Sequence, residues 1–96
     1  MNLSVFYTPT AKDTLTSVYD FIDEKFGRRS ADKFLLKAEK TIIIITSNPF
    51  LFKASETDEK LRIALVTKQC SLFYLVRDSQ IHLLFFWDNR QEPNSY

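Results

Sequence analysis

The sequence predicts an α+β fold of element order β-α-α-β-β-β, in which a helical hairpin packs against a small antiparallel sheet. An alternating apolar stretch opens the chain, and two stretches with helical apolar spacing follow it. Three apolar stretches separated by short polar turns occupy the second half. With 96 residues, one glycine, three prolines and no internal repeat, the chain is expected to form a single domain over residues 1–96.

The first quarter of the chain predicts a strand and then a helix. Residues 2–7 alternate as a short strand does, and Thr8-Pro9 ends it. Proline suits the first helical turn because its missing N–H would have no partner there. Apolar residues then recur every three or four positions as far as Phe26, which predicts one buried helical face, and Gly27 is a suitable C-terminal cap.

A second helix is predicted from Ser30, an N-cap residue that follows a short Arg28-Arg29 connection. Its apolar spacing continues through the β-branched run Ile42–Ile45, which taken alone is equally compatible with a strand. The helix requires Ile42 and Ile45 to be buried on one face, whereas a strand would bury alternate residues. Asn48-Pro49 ends the element, so two adjacent helices should form a hairpin.

The second half of the chain predicts an antiparallel meander that the first strand joins. A loop over residues 49–57 carries Phe50-Leu51-Phe52, which we expect to fold back onto the core because three exposed apolar side chains in succession are unusual. Strands follow over residues 61–65, 72–76 and 81–87. The last two strands are apolar on both faces, and one pair of helices can cover only one face of a sheet. Apolar surface is therefore left for a partner.

Composition narrows the class of protein. Thirteen basic and twelve acidic residues give a net charge of +1, whereas proteins that bind nucleic acid mainly through phosphates are far more basic. The single cysteine, Cys70, excludes an internal disulfide and a cysteine-based zinc site, so we expect no metal and no cofactor. The N-terminus does not look like a signal peptide and no apolar run could span a bilayer, so a cytoplasmic protein is expected.

Three stretches resemble a known family along essentially the whole chain. Residues 5–11 are similar to a first strand that runs into a helix, and Phe73-Tyr74 within residues 72–77 is similar to a central strand of pattern Y-x-V-x-D. Residues 84–93 are similar to a last strand followed by D-x-R-x-x-P. Together these stretches resemble the RelE/ParE toxin superfamily, and the tail resembles its ParE-like members.

The resemblance implies the toxin component of a type II toxin–antitoxin module, with roles in growth inhibition and plasmid stabilization. Its partner would be a cognate antitoxin, in a homodimer or a toxin–antitoxin hetero-oligomer. ParE-like members inhibit DNA gyrase, and RelE-like members cut mRNA in the ribosome. Near-neutral charge and few candidate catalytic groups favour a ParE-like binding toxin. The alternatives are a ribosome-dependent mRNA endonuclease and a non-toxic protein-binding member of the family.

The endonuclease alternative assigns catalysis to Arg62, Arg90 and Tyr96, whose positions resemble those of nuclease members. Basic side chains on the sheet would stabilise the charge that builds on the scissile phosphate, and the tyrosine would assist proton transfer. Ala64 and Ser71 stand where such enzymes carry further basic residues. The competing interpretation is that each arginine pairs with a nearby carboxylate and has no catalytic role.

The binding-toxin hypothesis assigns target binding to Arg28, Arg29 and Lys33, at one end of the second helix. The competing interpretation is an ordinary solvated helical face. His82, the only histidine, lies near the start of the last strand, so we expect a packed or surface residue rather than a general base. Cys70 has no obvious base or orienting group, so we do not expect a nucleophile.

Overall fold

The computed structural model describes residues 3–90. It contains a helix pair packed on a five-stranded sheet with strand order β1-β5-β4-β3-β2. The elements are β1 (Ser4–Tyr7), α1 (Pro9–Phe26), α2 (Arg28–Ser47), β2 (Lys53–Ala54), β3 (Leu61–Thr67), β4 (Cys70–Arg77) and β5 (Gln80–Asp88).

The sheet is mixed rather than wholly antiparallel. Strands β2 to β5 pair antiparallel, as predicted, but β1 pairs parallel with β5. The expectation of an all-antiparallel sheet is therefore wrong at β1. A two-helix crossover separates β1 from the other strands, and a connection of that length permits parallel pairing, which a tight turn does not.

Helix α1 begins where Thr8 caps it. The Thr8 hydroxyl accepts a hydrogen bond from the backbone N–H of Ala11 at 3.1 Å and donates to the carbonyl of Leu83 at 2.8 Å. One side chain thus satisfies an N-terminal helix donor and ties α1 to β5.

The two helices are joined by Gly27 alone. Its φ of +96° lies in a region that favours glycine, and its N–H donates to the carbonyl of Asp23 at 3.0 Å. Helix α2 starts immediately afterwards, with Gly27 in the N-cap position. The predicted N-cap at Ser30 is therefore wrong, because the glycine completes the reversal and makes a longer connection unnecessary.

The isoleucine run is helical, as predicted. Ile45 is fully buried and Ile42 is 7% exposed, whereas Ile43 is 63% and Ile44 is 43% exposed. The buried face of α2 packs on the sheet side that carries Leu72, Tyr74, Val76, Ile81 and Leu83. The core therefore lies between the hairpin and one face of the sheet.

The loop after α2 differs from the prediction. Only Phe52 packs against the core, and its ring meets that of Tyr74 edge-on at 6.5 Å. Phe50 and Leu51 are 54% and 66% exposed, so the expectation that they fold inward is wrong. The short strand β2 was not predicted, since two residues carry no recognisable pattern.

The sheet face opposite the helices remains apolar, and we call it the open face. In β4 the side chains alternate, so that Leu72 and Tyr74 are buried while Phe73 between them is half-buried. On the open face, Phe73 stacks on Phe85 with ring centroids 4.5 Å apart, and Leu65 of β3 is 61% exposed. The hairpin thus covers one face of the sheet only, as the apolar surplus of the central strands predicts.

Candidate functional site

Arg62 holds the loop after α2 against the start of β3. Its Nε donates to the carbonyl of Glu59 at 2.6 Å, and its Nη1 donates to the carbonyls of Phe50 at 3.1 Å and Phe52 at 2.9 Å. The guanidinium also lies 4.8 Å from the centre of the Phe50 ring. Arg62 therefore has a structural task that the sequence did not reveal, since all three acceptors are backbone carbonyls.

Tyr74 fixes the same loop from within the core. Its hydroxyl donates to the carbonyl of Pro49 at 2.7 Å, and the side chain is fully buried. Burial raises the pKa of Tyr74 to about 12, against a smaller opposing effect of the Arg62 charge. The loop is thus held at two points, by a buried phenol and by a guanidinium.

Arg90 lies at the other end of the sheet, just after β5. Its Nε and Nη2 donate to the carboxylate of Asp88 at 2.9 and 2.8 Å, and its backbone N–H donates to the same carboxylate at 2.9 Å. These hydrogen bonds hold the pKa of Asp88 below its ordinary value, although partial burial opposes them. The Arg90 side chain is 51% exposed, and its guanidinium lies 5.1 Å from the Phe21 ring centre.

The two arginines are far apart. Arg62 pairs with Tyr74 in the sheet register, whereas Asp88 pairs with Cys70. Positions 70 and 74 of β4 are separated by roughly 13 Å at about 3.3 Å per residue. Arg62 also reaches away from Arg90, towards the loop, so the structure does not bring the two guanidinium groups to one phosphate. The third predicted catalytic residue, Tyr96, lies outside the described residues.

Arg90 borders a groove of about 630 Å³ between the hairpin and the end of the sheet, which we call the hairpin groove. Apolar side chains of both helices line part of its wall. Among them, Phe21 is 39% and Phe26 is 65% exposed. The groove residues are Ser17, Val18, Phe21, Ile22, Phe26, Ser30, Lys33, Phe34, Lys37, Thr67, Gln69, Cys70, Asp88 and Arg90.

The hairpin groove is predominantly cationic. Lys33, Lys37 and Arg90 line it together with one carboxylate, that of Asp88, which Arg90 already binds. The ammonium of Lys25 lies 5.8 Å from the Phe21 ring centre and adds positive charge nearby. Apolar walls with lysine and arginine beside them suit an amphipathic partner that carries carboxylates.

The three predicted target-binding residues do not form one cluster. Arg28 donates to the carboxylate of Asp23 at 3.1 and 3.0 Å and lies 6.0 Å from the Tyr19 ring centre, so it braces the tip of the hairpin. Its hydrogen bonds lower the pKa of Asp23. Arg29 is exposed on α2, and Lys33 lines the hairpin groove, as Arg90 does.

Two side chains with catalytic potential are placed unfavourably for it. Cys70 is 3% exposed, and burial, aided by the charge of Asp88, raises the pKa of its thiol to about 12, so it is protonated at neutral pH. His82 is half-buried on the open face, where Nε2 lies 2.9 Å from Oε1 of Gln80. Its ring is tilted against that of Phe6 at 5.5 Å.

Within residues 3–90 we find no group of three or more histidine, cysteine or acidic side chains placed to hold a metal ion. Over the same part of the chain, neither helix combines the length and hydropathy needed to cross a membrane.

Sequence reasoning missed the aromatic part of the hairpin groove. Phe26 was predicted on the buried face of α1, in register with Val18 and Ile22. Those two pack against the core, but Phe26 is the last residue of α1 and lies beyond the packed part of the helix. Helical periodicity predicts which face of α1 a side chain lies on. It does not predict how far along α1 the rest of the protein covers that face. Only the position of Phe26 beside Gly27 indicated its exposure.

Comparison with known proteins agrees with this architecture. The chain resembles a structure of the chromosomal ParDE toxin–antitoxin system from P. aeruginosa, with a TM-score of 0.74, 20% identity, and 90% of this chain and 95% of that chain covered. It also resembles a YoeB/ParE toxin from Agrobacterium tumefaciens, with a TM-score of 0.66, 14% identity, and 90% and 98% coverage. At these identities the structures establish a shared fold.

A third structure, the YoeB dimer from Staphylococcus aureus, matches with a TM-score of 0.59, 15% identity, and 88% of this chain and 94% of that chain covered. A search of curated proteins finds no significant relative. The family model for the ParE toxin of the type II toxin–antitoxin system, parDE, matches residues 5–93. The chain therefore belongs to the ParE toxin family.

Proposed function

We propose that this chain is a growth-arresting toxin that binds a cellular target, with DNA gyrase as the first candidate, and that its antitoxin neutralises it by occupying the hairpin groove. Both encounters would take place in the bacterial cytoplasm. The observation that carries the proposal is the hairpin groove itself, where exposed aromatic rings lie beside three cations on a chain of near-neutral net charge.

The groove favours an amphipathic, acidic antitoxin segment. Phe21 and Phe26 expose apolar area whose burial would contribute roughly 25 cal/mol per Å². Carboxylates on the same segment would meet Lys33, Lys37 and Arg90. Such complementarity accelerates association and orients the partner. Binding to the folded state alone would also stabilise the toxin by mass action.

The positions of the basic residues support a binding toxin over an endonuclease. The endonuclease alternative needs Arg62 and Arg90 at one phosphate, yet Arg62 donates to three loop carbonyls and Arg90 to Asp88, at opposite ends of the sheet. With Arg62 and Arg90 apart, the two arginines that this alternative names would not stabilise one phosphorane-like transition state together. We therefore assign Arg90 and Lys33 to antitoxin binding.

The proposal is tested by inducing the chain in bacteria with and without the antitoxin encoded beside it. We expect growth arrest by the chain alone and recovery on co-expression. Purified chain should inhibit supercoiling by DNA gyrase, and cellular mRNA should stay intact. Normal growth after induction would refute the toxin assignment, and codon-positioned mRNA cleavage would favour the endonuclease alternative.

Two matched variants test the place of neutralisation. Phe26→Asp puts a carboxylate into the groove, where it would repel an acidic segment, while Leu65→Asp makes the same change on the open face. The two side chains are 65% and 61% exposed, so the cost to folding should be similar and small. We expect Phe26→Asp to remain toxic but escape the antitoxin, and Leu65→Asp to be rescued. The reverse pattern would place the antitoxin on the open face.

A further inference from the structure

Helix α2 carries a second exposed surface, on the side opposite the core. Leu36 is 57%, Ile43 is 63% and Ile44 is 43% exposed. Arg29, Leu36, Lys40 and Ile43 follow one another at separations of seven, four and three residues, which places them on one helical face. We call these four residues with Ile44 the outer stripe. A single exposed apolar side chain is ordinary, but three on one side of a helix are not.

The outer stripe runs into the loop that Arg62 and Tyr74 hold. Phe50 and Leu51, both more than half exposed, lie three and four residues after Ser47, where α2 ends. The carbonyls of Pro49 and Phe50 are fixed by Tyr74 and Arg62, and Leu51 N–H donates to the carbonyl of Asn48 at 3.1 Å. We call residues 49–52 the anchored loop, since the carbonyls of Pro49, Phe50 and Phe52 are all bound. It presents two apolar side chains on a fixed backbone, which lowers the ordering cost of binding.

The charged side chains of the outer stripe itself are both cations, whereas the acidic Glu56, Asp58 and Glu59 lie in the segment before β3. Arg29 and Lys40 are exposed, and neither forms an ion pair among residues 3–90. The two acidic residues of α2 lie to the side: Asp32 accepts a hydrogen bond from Tyr19 of α1 at 2.6 Å, and Glu39 acts electrostatically on Tyr7 of β1. The outer stripe therefore combines apolar side chains with two cations that form no ion pair among residues 3–90.

From this surface we infer that the outer stripe and the anchored loop bind the cellular target of the toxin, through a protein surface that presents apolar side chains next to carboxylates. A nucleic acid would satisfy the cations but leave Leu36, Ile43 and the loop side chains exposed. A second copy of the chain would present the same two cations, Arg29 and Lys40, and no carboxylate of the outer stripe to pair with them.

The inference rests on the proposed function, since it assigns a place to target binding. The outer stripe adjoins the hairpin groove at Lys33, which lies four residues after Arg29 on the same helical face. Lys33 and Lys37 line the groove, whereas Lys40 and Ile43 do not. Target binding and neutralisation would then depend on different residues of the same helix. Variants at Lys40 and Ile43 can therefore test target binding on the outer stripe without changing the residues proposed to bind the antitoxin.

The test compares growth arrest by Ile43→Asp, Lys40→Glu and Lys40→Arg with that by the unchanged chain, at equal protein levels. Ile43→Asp and Lys40→Glu place negative charge on the outer stripe, and each should weaken target binding about tenfold or more if the position is central to the interface. Lys40→Arg keeps the charge and should remain toxic. Leu65→Asp on the open face, at 61% against 63% exposure for Ile43, is the matched control and should also remain toxic.

Tm measurements keep the comparison interpretable, because both replaced side chains are exposed and should leave Tm within a few degrees of the unchanged chain. Reduced arrest by Ile43→Asp and by Lys40→Glu, with arrest retained by Lys40→Arg and Leu65→Asp, is the expected result. If the unchanged chain arrests growth and both stripe variants arrest it equally, the inference is overturned while the proposed function stands. If the unchanged chain causes no arrest, both fall.

Discussion

The two ends of the sheet use the same residue type in opposite ways. At the start of β3, Arg62 donates to three backbone carbonyls and lies over a phenylalanine ring. After β5, Arg90 pairs with a carboxylate two residues away and keeps half of its side chain exposed beside the hairpin groove. Arg62 donates hydrogen bonds to carbonyls and Arg90 donates to a carboxylate. Of the two, only Arg90 lines a groove that contains further cations. The contrast separates an arginine that holds the fold from one placed to meet a partner.

The largest effect should come from Arg62→Ala. The change removes a charged donor from the carbonyls of Glu59, Phe50 and Phe52, and hydrogen bonds to charged groups contribute about 1.5–3 kcal/mol. Because part of this site is solvent-exposed, we expect a loss of about 2 kcal/mol, or about 10 °C in Tm. Arg90→Ala should lower Tm much less, because an exposed ion pair contributes little to stability. Equal Tm values for the two variants would show that Arg62 contributes no more to the stability of the fold than Arg90 does.

Affinity for the antitoxin should fall more in Arg90→Ala than in Arg62→Ala, the reverse of the order for Tm. Arg90→Ala removes a groove cation and should weaken antitoxin binding about tenfold, as loss of a moderately important interface contact does. Arg62→Ala should leave the affinity of the folded protein nearly unchanged, because Arg62 does not line the groove. Isothermal titration calorimetry below the Tm of both variants checks this. Weaker binding by Arg62→Ala than by Arg90→Ala would show that the antitoxin uses the anchored loop instead.

Tyr74→Phe removes the hydroxyl that holds the anchored loop from within the core, and so tests its contribution to stability. Loss of the hydrogen bond to the Pro49 carbonyl should cost about 1 kcal/mol, or about 4–8 °C in Tm. The pKa of Tyr74 is raised from 10.0 to about 12, so its contribution is complete below pH 10 and is lost as the pH rises towards 12. Cys70 shifts in the same direction and persists in both proteins, so the difference between their alkaline denaturation curves reports Tyr74. Identical curves would contradict its buried position.

The smallest effect concerns Asp88. Arg90 lowers its pKa below 3.8, so the contribution of the pair to stability is present above that value and is lost as the pH falls through the pKa of the folded protein. In Arg90→Ala we expect the pKa of Asp88 to rise towards its ordinary value. Carboxyl NMR titration of both proteins measures the change. An unaltered pKa would mean that the pair does not persist in solution.

Sequence patterns predicted the parts of the fold that depend on periodicity. The helix through Ile42–Ile45, the cap at Gly27 and the three strands of the meander follow from apolar spacing and turn residues, which local geometry determines. The parallel pairing of β1 could not be predicted, because the direction of a strand after a two-helix crossover depends on the path of the whole chain.

The candidate site was only partly accessible to the same reasoning. Arg90 and Lys33 were identified separately, but nothing in the sequence shows that β5 and α2 bring them to one groove. The endonuclease alternative assigned Arg62 to catalysis because its position resembles that of a basic residue in nuclease members. Its actual partners are backbone carbonyls, which carry no sequence pattern. Phe50 and Leu51 were expected in the core because hydrophobicity predicts burial on average, whereas here the backbone anchors hold them outside.

The contrast between the two ends of the sheet is tested most directly by hydrogen–deuterium exchange of the chain, free and bound to its antitoxin. Occupation of the hairpin groove should slow exchange in residues 17–37 and 67–70, and should leave residues 49–62 around the anchored loop unchanged. If the antitoxin slowed exchange in residues 49–62 and did not slow it in residues 17–37 and 67–70, the assignment of antitoxin binding to the hairpin groove would be wrong.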